Sequence, residues 1–164
     1  MLELLYFEDL RVGDSWISSS HVVSRDDVRD FAQLTGDRNP LHMDDEFAGE
    51  SPFGRPIAHG LLGLSFAAGL SSENPAVHTA AFLGLSDWRF VLPIYFGDRV
   101  YVITEVLQAE PHGRKRGRVQ WRKLLINQND EIVQQGMFET LVLCRKPMAK
   151  PVLEPAVSRW QSVS

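Results

Sequence analysis

Asp37, Asn39 and His42 fall within six residues of one another, in the stretch TGDRNPLHMD at 35–44. A carboxylate and an imidazole that share one small volume can divide a pair of proton transfers, one group taking a proton while the other gives one. On a straight helix, positions five apart point about 140° away from each other. Gly36 and Pro40 predict an irregular segment instead, and there the two groups can converge. Functional side chains are often carried on such segments, positioned by a rigid scaffold. Each residue also has a plainer reading, because Asp and Asn are intrinsic turn formers and His42 can be a satisfied surface group.

A second group lies at the start of the apolar stretch HGLLGLSFAAGL, 59–70. His59 and Gly60 stand where a helix begins, and its first backbone N–H groups lack intrahelical acceptors. Glycine there lets a ligand reach the main chain, which suits the stabilisation of an enolate-like oxygen. The alternative is a helix start with a packing glycine. Ser65, further along, either faces the same pocket or bonds back to the helix backbone. The chain contains no GxSxG elbow, Walker loop or GxGxxG. The histidines at 21, 42, 59, 78 and 112 show no zinc-type spacing, so no metal is expected.

The elements that must hold these residues can be read from pattern. A short strand is expected near 14–19. Ser24 with Asp27 forms an aspartate version of a capping box, and Val28, Phe31, Ala32 and Thr35 follow at helical spacing. A helix over 25–35 then ends at Gly36, which suits a left-handed terminating residue. Residues 50–60 read as a structured Pro/Gly loop. The helix after it is apolar on almost every side, which predicts burial all round. The second half supplies four long segments rich in β-branched and aromatic residues, separated by turn signals at 96–98, near 110 and at 127–130. Val119 and Trp121 alternate with Arg118, Gln120 and Arg122, the period of a half-buried strand. The fold class expected is α+β, one domain with a long antiparallel sheet wrapped around a buried central helix.

Composition fits one soluble domain over 1–146, followed by a proline-bearing surface tail over 147–164. The net charge of −4 argues against nucleic acid as a partner. The single cysteine, Cys144, cannot form an internal disulfide, and it reads as a packing residue in a reducing, cytoplasmic setting. No apolar run reaches the length of a membrane span, and the first ten residues lack the pattern of a secretory signal.

The stretch FAQLTGDRNPLHMDDEFAGESPFGRPIAHGLLGLSFAAGL, from Phe31 to Leu70, resembles the signature of MaoC-like dehydratases, the (R)-specific enoyl-CoA hydratases of the hotdog fold. WRFVLPIYFGDRV extends the resemblance more loosely, and no signature position departs from the pattern. The resemblance implies a single hotdog domain that dimerises by joining two sheets edge to edge, with the acyl-CoA tunnel at the interface. It implies hydration of trans-2-enoyl-CoA thioesters to (R)-3-hydroxyacyl-CoA, or the reverse dehydration. Coenzyme A is then part of the substrate, and no cofactor is needed. Asp37 and His42 become the catalytic pair and Asn39 supports their geometry. Gly60, next to His59, offers its amide to the thioester oxygen, and Ser65 helps hold the active-site loop.

The densest basic stretch, HGRKRGR at 112–118, offers Arg114, Lys115 and Arg116 to the phosphates of coenzyme A, with Arg55 and Arg89 as other candidates. Its plainer reading, and the favoured one on sequence alone, is a solvated hairpin turn that keeps a sheet edge soluble. Two competing functions are a non-catalytic acyl-CoA-binding hotdog subunit and an acyl-CoA thioesterase. The first would not need both Asp37 and His42. The second usually places a carboxylate on the central helix, and 59–70 holds no Asp or Glu. Phe66, Phe82 and Leu85 are expected to line the acyl tunnel and to favour a short chain.

Overall fold

The computed structural model describes residues 4–148. The expected tail therefore lies outside the described residues from 149 onward. Six strands make one sheet, all paired antiparallel: β1 (Ser15–Ile17), β2 (His21–Val22), β3 (Thr79–Phe90), β4 (Arg99–His112), β5 (Arg116–Ile126) and β6 (Ile132–Leu143). Their order is β1-β4-β5-β6-β3, with β2 also on β4. The strand that follows the helices in sequence is thus an edge, and the late hairpins fill the middle.

Helix α1 (Arg25–Thr35) begins and ends as its sequence predicts. The Asp27 N–H donates to Ser24 Oγ at 3.0 Å, and the Ser24 N–H donates to Asp27 Oδ2 at 2.7 Å. Gly36 closes it at φ 82°, a left-handed conformation that costs glycine little. Two short helices follow, α2 (Pro40–Met43) and α3 (Asp45–Gly49), and then the central helix α4 (Gly60–Leu70).

The sheet curls over one face of α4. Strand alternation sends Val100, Val102, Leu125 and Val133 inward against Leu62 and Ala67, and all six are buried. Gly63 admits the sheet at close range, since a Cβ there would lie 2.2 Å from Gln134 Nε2 and 2.8 Å from Ile94 Cδ1. A second cluster, including Val106, Val119, Trp121 and Phe138, fills the far end of the same concave face.

Two expectations need correction. The central helix is not buried all round: Leu61 is 60 % exposed, and Ser65, Ala68 and Gly69 are exposed with it. The sheet covers one side of α4 and leaves an apolar strip uncovered. The turn signal near 110 also falls later, because Glu110 and Pro111 extend β4 and the hairpin turns only after His112. Proline is tolerated because it lies near the ragged end of the ladder.

Candidate active site

The segment 35–47 is held by side chains bonding to nearby backbone. The Asp37 N–H donates to Thr35 Oγ1 at 3.3 Å, and the Asn39 N–H to Asp37 Oδ1 at 3.3 Å. The Leu41 N–H donates to Asn39 Oδ1 at 2.9 Å, and Asp44 Oδ1 accepts from Glu46 and Phe47. Asn39 is the N-cap of α2 and Pro40 its first helical residue. Pro40 therefore starts a helical turn where an irregular segment was expected. Proline at that position gives up only an N–H with no intrahelical partner, and its fixed φ suits the helix. Asp37 lies before this turn and His42 on it, so the separation calculated for one straight helix does not apply.

The two side chains do converge, around a third. His42 donates from Nδ1 to the Ile57 carbonyl at 2.8 Å, and His59 donates from Nε2 to the Asp37 carbonyl at 2.9 Å. The two imidazole rings lie 4.0 Å apart between centroids, inclined by 35°, and the Phe31 ring lies 5.0 Å from that of His59. Asp37, His42 and His59 each offer a polar atom within 4.8 Å of the others. Asp37 is exposed, His42 half-buried and His59 buried. His59 stands at the helix start as expected, as the N-cap of α4, and in addition holds the main chain at Asp37 in place.

Donation from Nδ1 fixes the tautomer of neutral His42 and leaves Nε2 as an acceptor. Burial pulls the His42 pKa below the ordinary value, reinforced by His59 and opposed by the Ile57 bond and the Asp37 charge. The imidazole is therefore biased towards its neutral, proton-accepting form. His59 Nδ1 is buried without a partner among the described residues. Two imidazoles and a carboxylate also have the composition of a metal site, which the sequence spacing concealed. One nitrogen of each ring is already engaged, His42 Nδ1 by the Ile57 carbonyl and His59 Nε2 by the Asp37 carbonyl, which leaves one further nitrogen on each.

Gly60 opens α4, and its amide, like those of Leu61 and Leu62, has no intrahelical acceptor. It borders a cavity of about 240 Å³ lined by His42, Ile57, Phe90, Ile94 and Gln134 among others. A Cβ on Gly60 would meet the Phe90 ring at 2.9 Å, so the glycine permits a close approach of β3. Gln134 was missed by sequence reading. It is 2 % exposed, donates to the Gly60 carbonyl at 3.0 Å and accepts from Trp88 Nε1 at 3.2 Å. A glutamine amid β-branched residues carried that signal, since a buried amide needs partners.

Other expected residues stand apart. The Ser65 hydroxyl donates to the Leu61 carbonyl at 2.9 Å, the helix-backbone bond, and makes no hydrogen bond to 37–42 among the described residues. Arg114 and Lys115 lie in the β4–β5 turn and Arg116 opens β5, where it pairs in register with Leu143 at the end of the sheet where β3 begins. Gln134, beside Gly60, pairs with Leu125, so the turn is roughly 30 Å along β5 from the site within one chain. Phe66 packs on the core, while Phe82 and Leu85 are 54 % and 45 % exposed. Lys123, which sequence reading did not single out, is buried on the concave face, and burial pushes its pKa down to about 7.

No helix among the described residues is long and apolar enough to cross a membrane. Comparison with known proteins shows the family. Residues 12–129 match the family described as MaoC like domain. The chain is 38% identical over 156 residues to a 3-hydroxybutyryl-CoA dehydratase of Methylorubrum extorquens, covering 92% of each protein. It is 41% identical over 80 residues to an (R)-specific enoyl-CoA hydratase of Aeromonas caviae, covering 49% of this chain and 59% of that one. The solved structure of an R-hydratase from Pseudomonas aeruginosa superposes with a TM-score of 0.74 at 28% identity, over 93% of this chain and 95% of that one. A sheet curled on one helix, an acid and an imidazole gathered before that helix, and a family match spanning most of the sequence lead to one assignment: the chain belongs to the MaoC-like dehydratase family of the hotdog fold.

Proposed function

We propose that the chain is a hydro-lyase that adds water to trans-2-enoyl-CoA thioesters to give (R)-3-hydroxyacyl-CoA, or runs the reverse dehydration. The observation that carries this reading is the meeting of Asp37 and His42 beside a cavity bordered by the Gly60 amide. The thioester oxygen lies at that amide, where negative charge develops as water attacks C3. The water oxygen bonds to C3, one of its protons passes to His42 Nε2, and the C2=C3 electrons move towards the thioester oxygen. The enolate then collapses, and C2 takes the proton from Nε2. Asp37 accepts the other O–H of the water as a hydrogen bond and stabilises the transient imidazolium. Asn39 supports this pair by fixing the turn between them.

The working unit in this reading is a homodimer in a cytoplasmic setting, with an acyl-CoA thioester as the small-molecule partner and no cofactor. Strand β3 supports the dimer: it is a twelve-residue edge whose Phe82, Leu83, Leu85 and Phe90 are 43–56 % exposed. A long, apolar, unpaired edge invites pairing with another chain. A two-fold axis through its middle sets the start of one β3 against the end of the other. The basic turn of one subunit then lies on the side of its partner's site, where Arg114, Lys115 and Arg116 meet the phosphates of coenzyme A.

The test is hydration of a panel of trans-2-enoyl-CoA thioesters, with the C3 configuration of each product determined. (R)-products are expected. Absence of hydration throughout the panel, or (S)-products, would overturn the assignment.

A further inference from the structure

A second cavity, of about 290 Å³, lies at the other end of α4 and is distinct from the one beside Gly60. Ala68 and Ser71 of the helix end, Phe82 of β3, and Trp121, Phe138 and Thr140 of the sheet wall it. One cation stands in this wall. Lys123 is 6 % exposed, and strand alternation places it on the inward face between Trp121 and Leu125. Its cross-strand neighbour is Thr104, in the middle of apolar pairs: Val102 faces Leu125 and Val106 faces Trp121. This polar pair occurs where the two halves of the core meet.

The Lys123 ammonium is only partly compensated. Nζ donates to Thr104 Oγ1 at 3.0 Å and lies 5.6 Å from the ring centroids of Trp121 and of Phe138. Among the described residues it makes no salt bridge with a carboxylate. Burying an ammonium in apolar surroundings is costly unless it is paired. Here the wall carries the charge, and the described residues supply no counter-charge. The missing half is an anion that enters the cavity.

The two cavities are related by β3. Phe82 lines the one holding Lys123, and Phe90 lines the one beside Gly60. Antiparallel pairing of two β3 edges brings Phe82 of one copy towards Phe90 of the other, so the lysine cavity of each subunit faces the proton-transfer cluster of its partner. A chain held as a thioester at Gly60 then points its far end at Lys123. At about 30 Å³ per water, the cavity has room for about ten water-sized groups, enough for a short chain with a polar end.

We propose that Lys123 reads the far end of the acyl chain, and that the preferred substrates are short trans-2-enoyl thioesters ending in a carboxylate. This rests on the hydro-lyase reading and on the paired β3 edges. The carboxylate docks against Nζ and supplies the counter-charge that the described residues do not, while Trp121 and Phe138 flank the methylene groups.

The experiment compares kcat/KM for trans-2-pentenoyl-CoA and trans-2-hexenoyl-CoA with their analogues carrying a carboxylate in place of the terminal methyl. It is run on the wild type and on Lys123→Met and Lys123→Gln, with crotonyl-CoA as a common neutral reference. Wild type is expected to favour the carboxylate of at least one pair by about 10-fold or more. The variants should lose about 100-fold on that substrate, as for a broken buried ion pair, and change little on crotonyl-CoA. Methionine is flexible, similar in reach and free of the buried charge, so the fold should persist. Should neither variant fold, the wild-type preference within each pair decides alone. Hydration of crotonyl-CoA with no preference for either carboxylate overturns the role of Lys123 and leaves the hydro-lyase reading standing. An equal loss on neutral and anionic substrates overturns it too. No hydration of any substrate removes the reading on which it rests.

Discussion

The two ends of the α4 groove handle polar groups in opposite ways. At the Gly60 end, Asp37, Asn39, His42 and His59 come from short, nearly consecutive stretches, and each has a backbone partner at 2.8–3.3 Å. At the Ser71 end the polar group is one lysine, set in place by strand alternation and answered by one hydroxyl. The first end is organised before any substrate arrives. The second holds an unbalanced charge, so its energetics depend on what enters. A preorganised cluster suits proton transfer, where reorganisation at the moment of reaction would raise the barrier. An unbalanced one suits selection, because only a complementary ligand relieves it.

The sharpest way to break this comparison is at the first end. Asp37→Asn and His42→Ala should each lower kcat by about 10³-fold or more while circular dichroism and melting stay near wild type. A variant that keeps most of its turnover would remove that residue from the mechanism. Next in size is the edge that joins the two ends. Leu83→Lys with Leu85→Lys should convert a sedimenting dimer to monomer and remove most activity, whereas a wild type that sediments as a monomer would separate the ends altogether.

A smaller effect is expected where Gln134 ties β3 and β6 to the helix start. Gln134→Leu leaves Trp88 Nε1 without its acceptor and should cost about 1–3 kcal/mol in denaturant unfolding. An unchanged midpoint would show the bond to be incidental. Titration gives the finest test. Lys123 has a folded pKa of about 7 against an unfolded value near 10.5, so between those values the unfolded chain binds more protons. Its destabilising effect is then full below pH 7 and fades as the pH rises to about 10.5, with a slope of up to about 1.4 kcal/mol per pH unit. Lys123→Met should be more stable than wild type at pH 6, with the gap closing above pH 7; a gap independent of pH would mean the ammonium is not desolvated. At the other end, the depressed pKa of His42 places the acid limb of kcat/KM below 6.5, and a midpoint at or above 6.5 would contradict the neutral-imidazole role.

Much of the first end was legible because its signals are local. Ser24 and Asp27, Gly36, and the spacing of Asp37 to His42 act through bonds between residues a few positions apart, and such bonds survive translation from sequence to structure. Pro40 misled only in detail: the same residue that breaks a helix interior begins one at its first position. The second end was not legible. Lys123 sits in RVQWRKLLI as one more charged residue, and strand period alone could place it on the inward face without showing that the face is enclosed there. The reach of Gln134 to Gly60, 74 positions away, had no local trace either.

The sequence by itself determined the limits of the first helix, the strand count of the long hairpins and the residues available for proton transfer, because caps, turns and periodicity are short-range. Only the tertiary structure decided that His59 completes the acid and imidazole cluster, that one side of α4 lies open beside a bare sheet edge, and that a lysine is shut away from water between two halves of a core. Those outcomes depend on which distant surfaces exclude solvent from each other, and desolvation is a property of the packed chain rather than of any segment of it.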